Sequence, residues 1–166
     1  MWSRFPAWVQ LAGLVTIAAS PVTSSLTTVS FAVFAENRLG QMARVTRVLA
    51  DAGVNIRWVT IATSEDFGVM KFLVDKCDLA FQSLKEHGFT ASLIEVLAIE
   101  VEDKPGGFHE VAEDLARHQI NVQNSSGFVA SGRAVLLIEV RDVAQARAVL
   151  AHEKLRLLSQ EQAMAL

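Results

Sequence analysis

Several residue types that build common functional sites are scarce in this sequence. It contains one cysteine, which excludes a disulfide framework and a zinc site with four cysteine ligands. It has no tyrosine and three tryptophans, so the aromatic surfaces on which single-stranded nucleic acids stack are also scarce. The 15 basic and 18 acidic residues give a formal net charge of −3, which provides no basic patch for a phosphate backbone. A nucleic-acid partner is therefore not expected.

The remaining composition is that of an ordinary folded protein. Hydrophobic types make up 51% of the 166 residues and charged types 20%, whereas a disordered chain is poor in apolar residues and highly charged. The length alone is typical of one domain. The four histidines, at positions 87, 109, 118 and 152, are scattered and lack the spacing of a metal site. We expect no metal and no cofactor.

Residues 1–25 differ in character from the rest of the chain. They contain one charge, Arg4, then a mostly apolar run from Ala7 to Ala19, and then Pro21 within a Ser/Thr cluster. The run is shorter than the ~20 apolar residues that a membrane span needs, so no membrane partner is expected. It fits a signal peptide only loosely, because Gln10 interrupts it. The alternatives are an extension from an upstream start codon and an ordered amphipathic helix. The rest of the chain looks cytoplasmic, which favours the extension.

The rest of the chain contains an internal repeat. A shift of 66 residues aligns its two halves without a gap, and the matches extend from Glu36 on Glu102 to Leu84 on Leu150. Further identities lie between them, namely Gly40 with Gly106, Val45 with Val111, Asn55 with Asn121, Val74 with Val140, and Ala80 with Ala146. Because one offset serves throughout, we predict two similar structural units.

Hydrophobic periodicity predicts the same elements in each half. Apolar residues alternate in Thr27–Phe34 and recur at helical spacing from Met42 to Ala52. Two strands, a helix and a fourth strand follow. The second helix, Asp75–His87, is predicted to turn Leu79, Ala80 and Leu84 inward. The resulting order, βαββαβ, is that of a split βαβ plait, a four-stranded antiparallel sheet with two helices on one face.

We therefore predict an α+β fold made of two ferredoxin-like units with antiparallel sheets. The units span residues 26–97 and 98–160, and a tail follows at 161–166. No linker separates them, because the last strand of the first unit runs into the first strand of the second at Glu95–Ala98.

Two strands are more apolar than a half-exposed sheet requires. Residues 134–138 are apolar at every position, as are most of 69–74, whereas a strand with one wet face should alternate. An exposed patch of this size would be a liability. We predict that these strands are buried on both faces, by the sister repeat or by a second chain.

The first turn between strand and helix is the candidate site in each half. Gly40 and Gly106 each stand at the start of an amphipathic helix, where free amides and the helix dipole favour a negative group. Asn37 and Asp103 precede the two glycines. Asn55 and Asn121 begin the next strand, at the opposite end of the helix, and an asparagine amide can both donate and accept. Ordinary turn and capping chemistry explains the same residues.

The two turns resemble those of ACT domains. The resemblance rests on FAENRLGQMARV from Phe34 with AGVNI at 52–56, and on EDKPGG from Glu102 with QINV at 119–122. It covers residues ~27–160, so the chain resembles a stand-alone tandem ACT protein.

The resemblance implies a regulatory module that binds an amino acid where two units meet. The family's binding positions correspond to Asn37, Leu39, Gly40 and Asn55 in the first unit. In the second unit they correspond to Asp103, Gly106 and Asn121. Leu39 stands where many members have proline and Asp103 where many have asparagine. Asp103 adds negative charge where a carboxylate would bind, so we expect the first site to be the better one.

These observations together predict a non-catalytic sensor that binds a small amino acid and forms a homo-oligomer, a dimer or higher, with an enzyme as a possible partner. One alternative is a regulatory subunit of an amino-acid biosynthetic enzyme, similar to the acetolactate synthase small subunit. Another is a small enzyme on the same plait, although no acid, base and nucleophile converge in the sequence. Cys77, at a helix start, is expected to serve packing rather than chemistry. A structural dimer that binds nothing is the last alternative.

Overall fold

The computed structural model describes residues 28–130, 132–153 and 155–165, and the N-terminal segment 1–25 with its proposed roles lies outside this range. The chain forms seven strands and five helices over these residues. They are β1 (Thr28–Glu36), α1 (Gln41–Asp51), β2 (Ile56–Ser64), β3 (Phe67–Val74), α2 (Cys77–Glu86), β4 (Thr90–Val101), α3 (Gly107–Arg117), β5 (Val122–Ala130), β6 (Arg133–Val140), α4 (Val143–His152), β7 (Arg156–Leu158) and α5 (Gln160–Met164).

The long strand β4 joins two antiparallel sheets. Its first half pairs with β1, from Thr90 opposite Phe34 to Val96 opposite Thr28. Its second half pairs with β6 and with the short strand β7. The strand order is β2-β3-β1-β4-β6-β5, with β7 also against β4. Each half of the chain therefore forms the predicted βαββαβ unit, and the two units share one strand.

Each unit has its own core between its sheet and its two helices. In the first unit, Phe31 of β1 stacks on Phe72 of β3 with ring centroids 5.2 Å apart, beneath Leu49 of α1 and Leu84 of α2. The second unit repeats this arrangement with Leu97 and Ile99 of β4, Val111 and Leu115 of α3, Ile138 and Val140 of β6, and Ala146 and Leu150 of α4. The helices thus cover one face of each sheet.

The faces without helices pack against each other. Leu73 of β3, Val96 and Ala98 of β4, and Val135 and Leu137 of β6 belong to a third buried cluster. These side chains alternate along their strands with those that face the helices. The prediction that β3 and β6 are buried on both faces is confirmed, and the sister repeat covers the second face.

One ion pair crosses between the two sheets. The ammonium of Lys71, on β3, lies 2.7 Å from both carboxylate oxygens of Glu139, on β6. The side-chain amide of Asn124, on β5, donates to the same carboxylate at 2.9 Å. In the strand order β1 and β4 lie between β3 and β6, so this contact requires the two sheets to face each other.

Two details differ from the sequence-based expectations. Leu79 does not point inward, because its side chain is 41% exposed. The buried face of α2 is instead Cys77, Ala80 and Leu84, which follow the i, i+3, i+7 spacing of a helix and leave Leu79 to one side. The short helix α5, within a segment that showed no periodicity, is held by a capping box at Ser159. Its first residue, Gln160, accepts a hydrogen bond from the Val29 amide at 2.7 Å.

Candidate functional site

The two strand–helix turns have the same backbone geometry. Gly40 has φ of 85° and Gly106 has φ of 94°, in the left-handed region that side chains with a Cβ rarely adopt. An ion pair flanks each turn, between Glu36 and Arg38 in the first and between Glu102 and Lys104 in the second. The repeat therefore holds at the level of local conformation, and the two glycines are required where they stand.

Each turn leaves amide groups free at the start of its helix. In the first, the amide of Gln41 donates to the Arg38 carbonyl at 3.2 Å and that of Arg44 to the Gly40 carbonyl at 3.0 Å. Gly40 provides no side-chain cap, so within the described chain the amides of Met42 and Ala43 have no protein acceptor. The start of α3 follows the same pattern around Gly106. Free amides at a helix start attract an anion.

The charges around the two turns differ. The first turn of α1 contains no acidic residue, and Leu39 beside it is fully exposed. The first turn of α3 contains Glu110, and Asp103 stands just before it. A hydrogen bond and the positive charge of Lys104 lower the pKa of Glu102, so that carboxylate stays ionised near neutral pH. A ligand carboxylate is therefore repelled less at Gly40 than at Gly106.

Asn37 and Asn55 lie at opposite ends of α1. The Asn37 side-chain amide donates to the Glu65 carbonyl at 3.1 Å, and its backbone amide donates to the Asp66 carbonyl at 2.7 Å. Asn55 is tied elsewhere, through its backbone amide to the Asp75 carboxylate at 2.9 Å. The 11 residues of α1 separate the two asparagines by roughly 16 Å. One chain does not bring them together, and the same holds for Asp103 and Asn121 across α3.

The two turns are also far from each other. Gly40 follows β1, whose residue Phe34 pairs with Thr90 at the start of β4, whereas Gly106 follows the end of β4. The 12 residues of β4 correspond to a path of roughly 35 Å along the strand. A single small ligand cannot contact both turns of one chain, so they are two separate candidate sites.

Gly107 has a role that the sequence pattern did not reveal. A Cβ placed on it would lie 2.5 Å from the Glu102 carbonyl oxygen, so the second turn is closed more tightly than a side chain allows. The corresponding residue of the first turn is Gln41, which carries a full side chain. The offset of 66 residues would have exposed this difference, because it aligns a glycine with a glutamine.

The described residues contain little that suggests other chemistry. They hold no group of three or more His, Cys, Asp or Glu side chains that could bind a metal ion. None of the helices in this part of the chain is both long and apolar enough to cross a membrane. Burial, and secondarily the charge of Asp78, raises the pKa of the Cys77 thiol to about 12, so it is protonated at neutral pH. This agrees with the expected packing role.

The buried thiol of Cys77 should resist alkylation. At pH 8 we expect it to react with iodoacetamide at least tenfold more slowly in the folded chain than in urea, because only the thiolate is nucleophilic. Stability should also fall as the pH rises from 9.0 towards 12, since only the unfolded state ionises there. Mass spectrometry measures the labelling, with Cys77→Ser as the unlabelled control. Equal rates in the two states would contradict the protected thiol.

Comparison with protein families identifies this architecture. A family model described as an ACT domain pair matches residues 26–166. The chain belongs to the ACT domain pair family. This agrees with the resemblance of the two turns and with the pair of ferredoxin-like units. A comparison with curated proteins finds no match.

Solved structures show the same fold as this ACT domain pair. A protein from Bacteroides thetaiotaomicron aligns with a TM-score of 0.80 and 26% identity, over 85% of this chain and 98% of that one. The regulatory subunit of aspartate kinase from Thermus thermophilus aligns with a TM-score of 0.55 and 19% identity, over 74% of this chain and 88% of its own. At that identity the second similarity concerns the fold alone.

Proposed function

We propose that this ACT domain pair is a non-catalytic regulatory protein that binds a small amino acid at the turn around Gly40. The observation that carries the proposal is the uncapped start of α1, where the Met42 and Ala43 amides are free and the first helical turn contains no acid. The ligand's α-carboxylate would accept hydrogen bonds from these amides, in the field of the helix dipole.

Asn37 is suited to hold the other end of the ligand. Its side-chain nitrogen is already engaged by the Glu65 carbonyl, which leaves the side-chain oxygen as an acceptor for an ammonium group. Leu39 is fully exposed beside Gly40 and offers an apolar contact to the ligand's side chain. The site thus contains complementary groups for the carboxylate, the ammonium and an apolar portion.

Asn55 can take part only if a second unit supplies it. It lies at the far end of α1 from Asn37 in the same chain, and an amino acid is too short to reach both. Binding would therefore join two units, and it would regulate a partner enzyme by favouring one arrangement of those units over another. The second turn, with Asp103, Gly106 and Asn121, is the weaker site because of its acidic surroundings.

A thermal-shift screen against the twenty amino acids tests this proposal. At least one should raise the melting temperature at millimolar concentration, since binding to the native state alone stabilises it. In Gly40→Asn we expect the shift to shrink by half or more, because the added side chain covers the free amides. Asparagine is chosen because it tolerates the left-handed backbone better than other side chains do.

The matched control is Gly106→Asn at the equivalent turn. It introduces the same side chain at the same backbone conformation and should leave the ligand-induced shift unchanged. Each shift is measured from the variant's own melting temperature without ligand, so that any loss of stability cancels. A screen without a stabilising amino acid, or a shift that only Gly106→Asn removes, would count against the site at Gly40.

A further inference from the structure

The outer strand β2 has an edge without protection. It ends the strand order and pairs along one side with β3. Residues 58–64 contain no charged residue and no proline, and the bulge of β2 lies before them, next to Ile56. Val59 and Ile61 are 36% and 43% exposed on the helix side of the sheet. Edges that stay unpaired in proteins are usually protected by charge, proline or a bulge.

Opposite charges lie at the two ends of this edge. Arg57 is exposed at its beginning, and Glu65 and Asp66 are exposed in the turn at its end. In the described part of the chain none of these three side chains forms an ion pair within the molecule. The edge therefore presents an uncharged centre with a positive group at one end and negative groups at the other.

We propose that β2 pairs with β2 of a second copy of this chain, antiparallel and with Ile61 on the two-fold axis. In that register residues whose numbers sum to 122 lie opposite each other, so Arg57 of each copy faces Glu65 of the other. Ile61 packs against its own equivalent, and Val59 faces Thr63. A two-fold interface of this kind uses the same patch on both partners and closes without leaving a free edge.

The charges disfavour the other pairings of the outer strands. A parallel β2 pair would place Arg57 beside Arg57 and Glu65 beside Glu65. An antiparallel pair of β2 with β5, the other outer strand, would place Arg57 near Arg133, which follows β5. Like charges held opposite each other are destabilising. The charges thus select the register, while the backbone ladder and the apolar side chains provide most of the affinity.

The same pairing bears on the proposed amino-acid site. An antiparallel partner brings the beginning of its own β2 next to the turn at Glu65 and Asp66, which Asn37 contacts at 3.1 and 2.7 Å. The partner's Asn55, two residues before Arg57, then approaches Asn37. This consequence rests on the proposed function, whereas the dimer itself does not.

Sedimentation equilibrium of the full chain without any amino acid tests the pairing. We expect a dimer, with twice the 18.1 kDa mass of the chain. Ile61→Lys places two like charges on the axis and should weaken dimerisation at least tenfold. Val129→Lys is the matched control, because Val129 is an exposed apolar residue on the other outer strand, and it should remain dimeric. A monomeric chain, or an Ile61→Lys variant as dimeric as the control, would overturn the proposal.

Two further variants test the register and do not depend on the folding of Ile61→Lys. Arg57→Glu should weaken the dimer severalfold, and adding Glu65→Lys to it should restore the original affinity. Ile61→Cys should form an intermolecular disulfide under mild oxidation, whereas Thr63→Cys, far from its own equivalent, should not. Failure of the rescue together with equal cross-linking of both cysteines would exclude this register. Because no ligand is added, a dimer that binds no amino acid would refute only the proposed function.

Discussion

Lys71→Met is expected to lower the free energy of unfolding by about 2–4 kcal/mol, because it leaves the Glu139 carboxylate between the sheets without its cation. The side chains of Lys71 and Glu139 are only 19% and 15% exposed, so water screens this pair poorly. The remaining partner of the carboxylate is the neutral amide of Asn124. Urea unfolding followed by tryptophan fluorescence measures the loss.

The double variant Lys71→Met with Glu139→Leu should recover most of that loss. Apolar side chains of similar volume often replace a buried ion pair at little cost, whereas removing one member strands the other. Arg38→Met is the matched control, since its pair with Glu36 is exposed and should contribute no more than ~0.5 kcal/mol. If Lys71→Met has as small an effect as this control, the contact between the sheets is not formed in solution.

Gly107→Ala is expected to lower the free energy of unfolding by about 3 kcal/mol, although alanine favours helices over glycine. The new Cβ would lie 2.5 Å from the Glu102 carbonyl oxygen, and a backbone atom cannot move aside as a flexible side chain can. The turn must open for the residue to fit. Thermal and urea unfolding measure the effect.

Two neighbouring variants separate this clash from the general effect of adding a side chain. Gly106→Ala has open space around its Cβ and a φ of 94°, so it should cost about 1–2 kcal/mol, from backbone strain alone. Gln41→Ala, at the position of the first unit that corresponds to Gly107, should be close to neutral. If Gly107→Ala were no worse than Gly106→Ala, the second turn would have to be more open in solution.

The sequence predicts the units well because their signals are local or repeated. Alternation in β1, helical spacing in α1 and the common offset indicate the elements, and the apolar run at 134–138 indicates burial on two faces. No local pattern joins Lys71 to Glu139, which are 68 residues apart, so the way in which the two sheets meet emerges only from the structure.

The candidate site divides in the same way. The positions of Gly40 and Gly106 follow from turn chemistry, and their left-handed backbone agrees with it. The different needs of Gly107 and Gln41 depend on how closely the Glu102 carbonyl approaches, which a sequence pattern does not encode. The binding roles of Asn37 and Asn55 remain predictions, since they depend on which units meet.

The shared strand β4 has a consequence for cooperativity. Leu97 and Ile99 belong to the core of the second unit, while Leu93, on the same strand, packs against the core of the first. A cut between residues 97 and 98, where the repeat suggests a boundary, would divide one continuous strand rather than a linker. Neither half can lose its sheet without disturbing the other. The molecule thus has two copies of a motif but a single folding unit, and a change at one end of β4 is felt at the other.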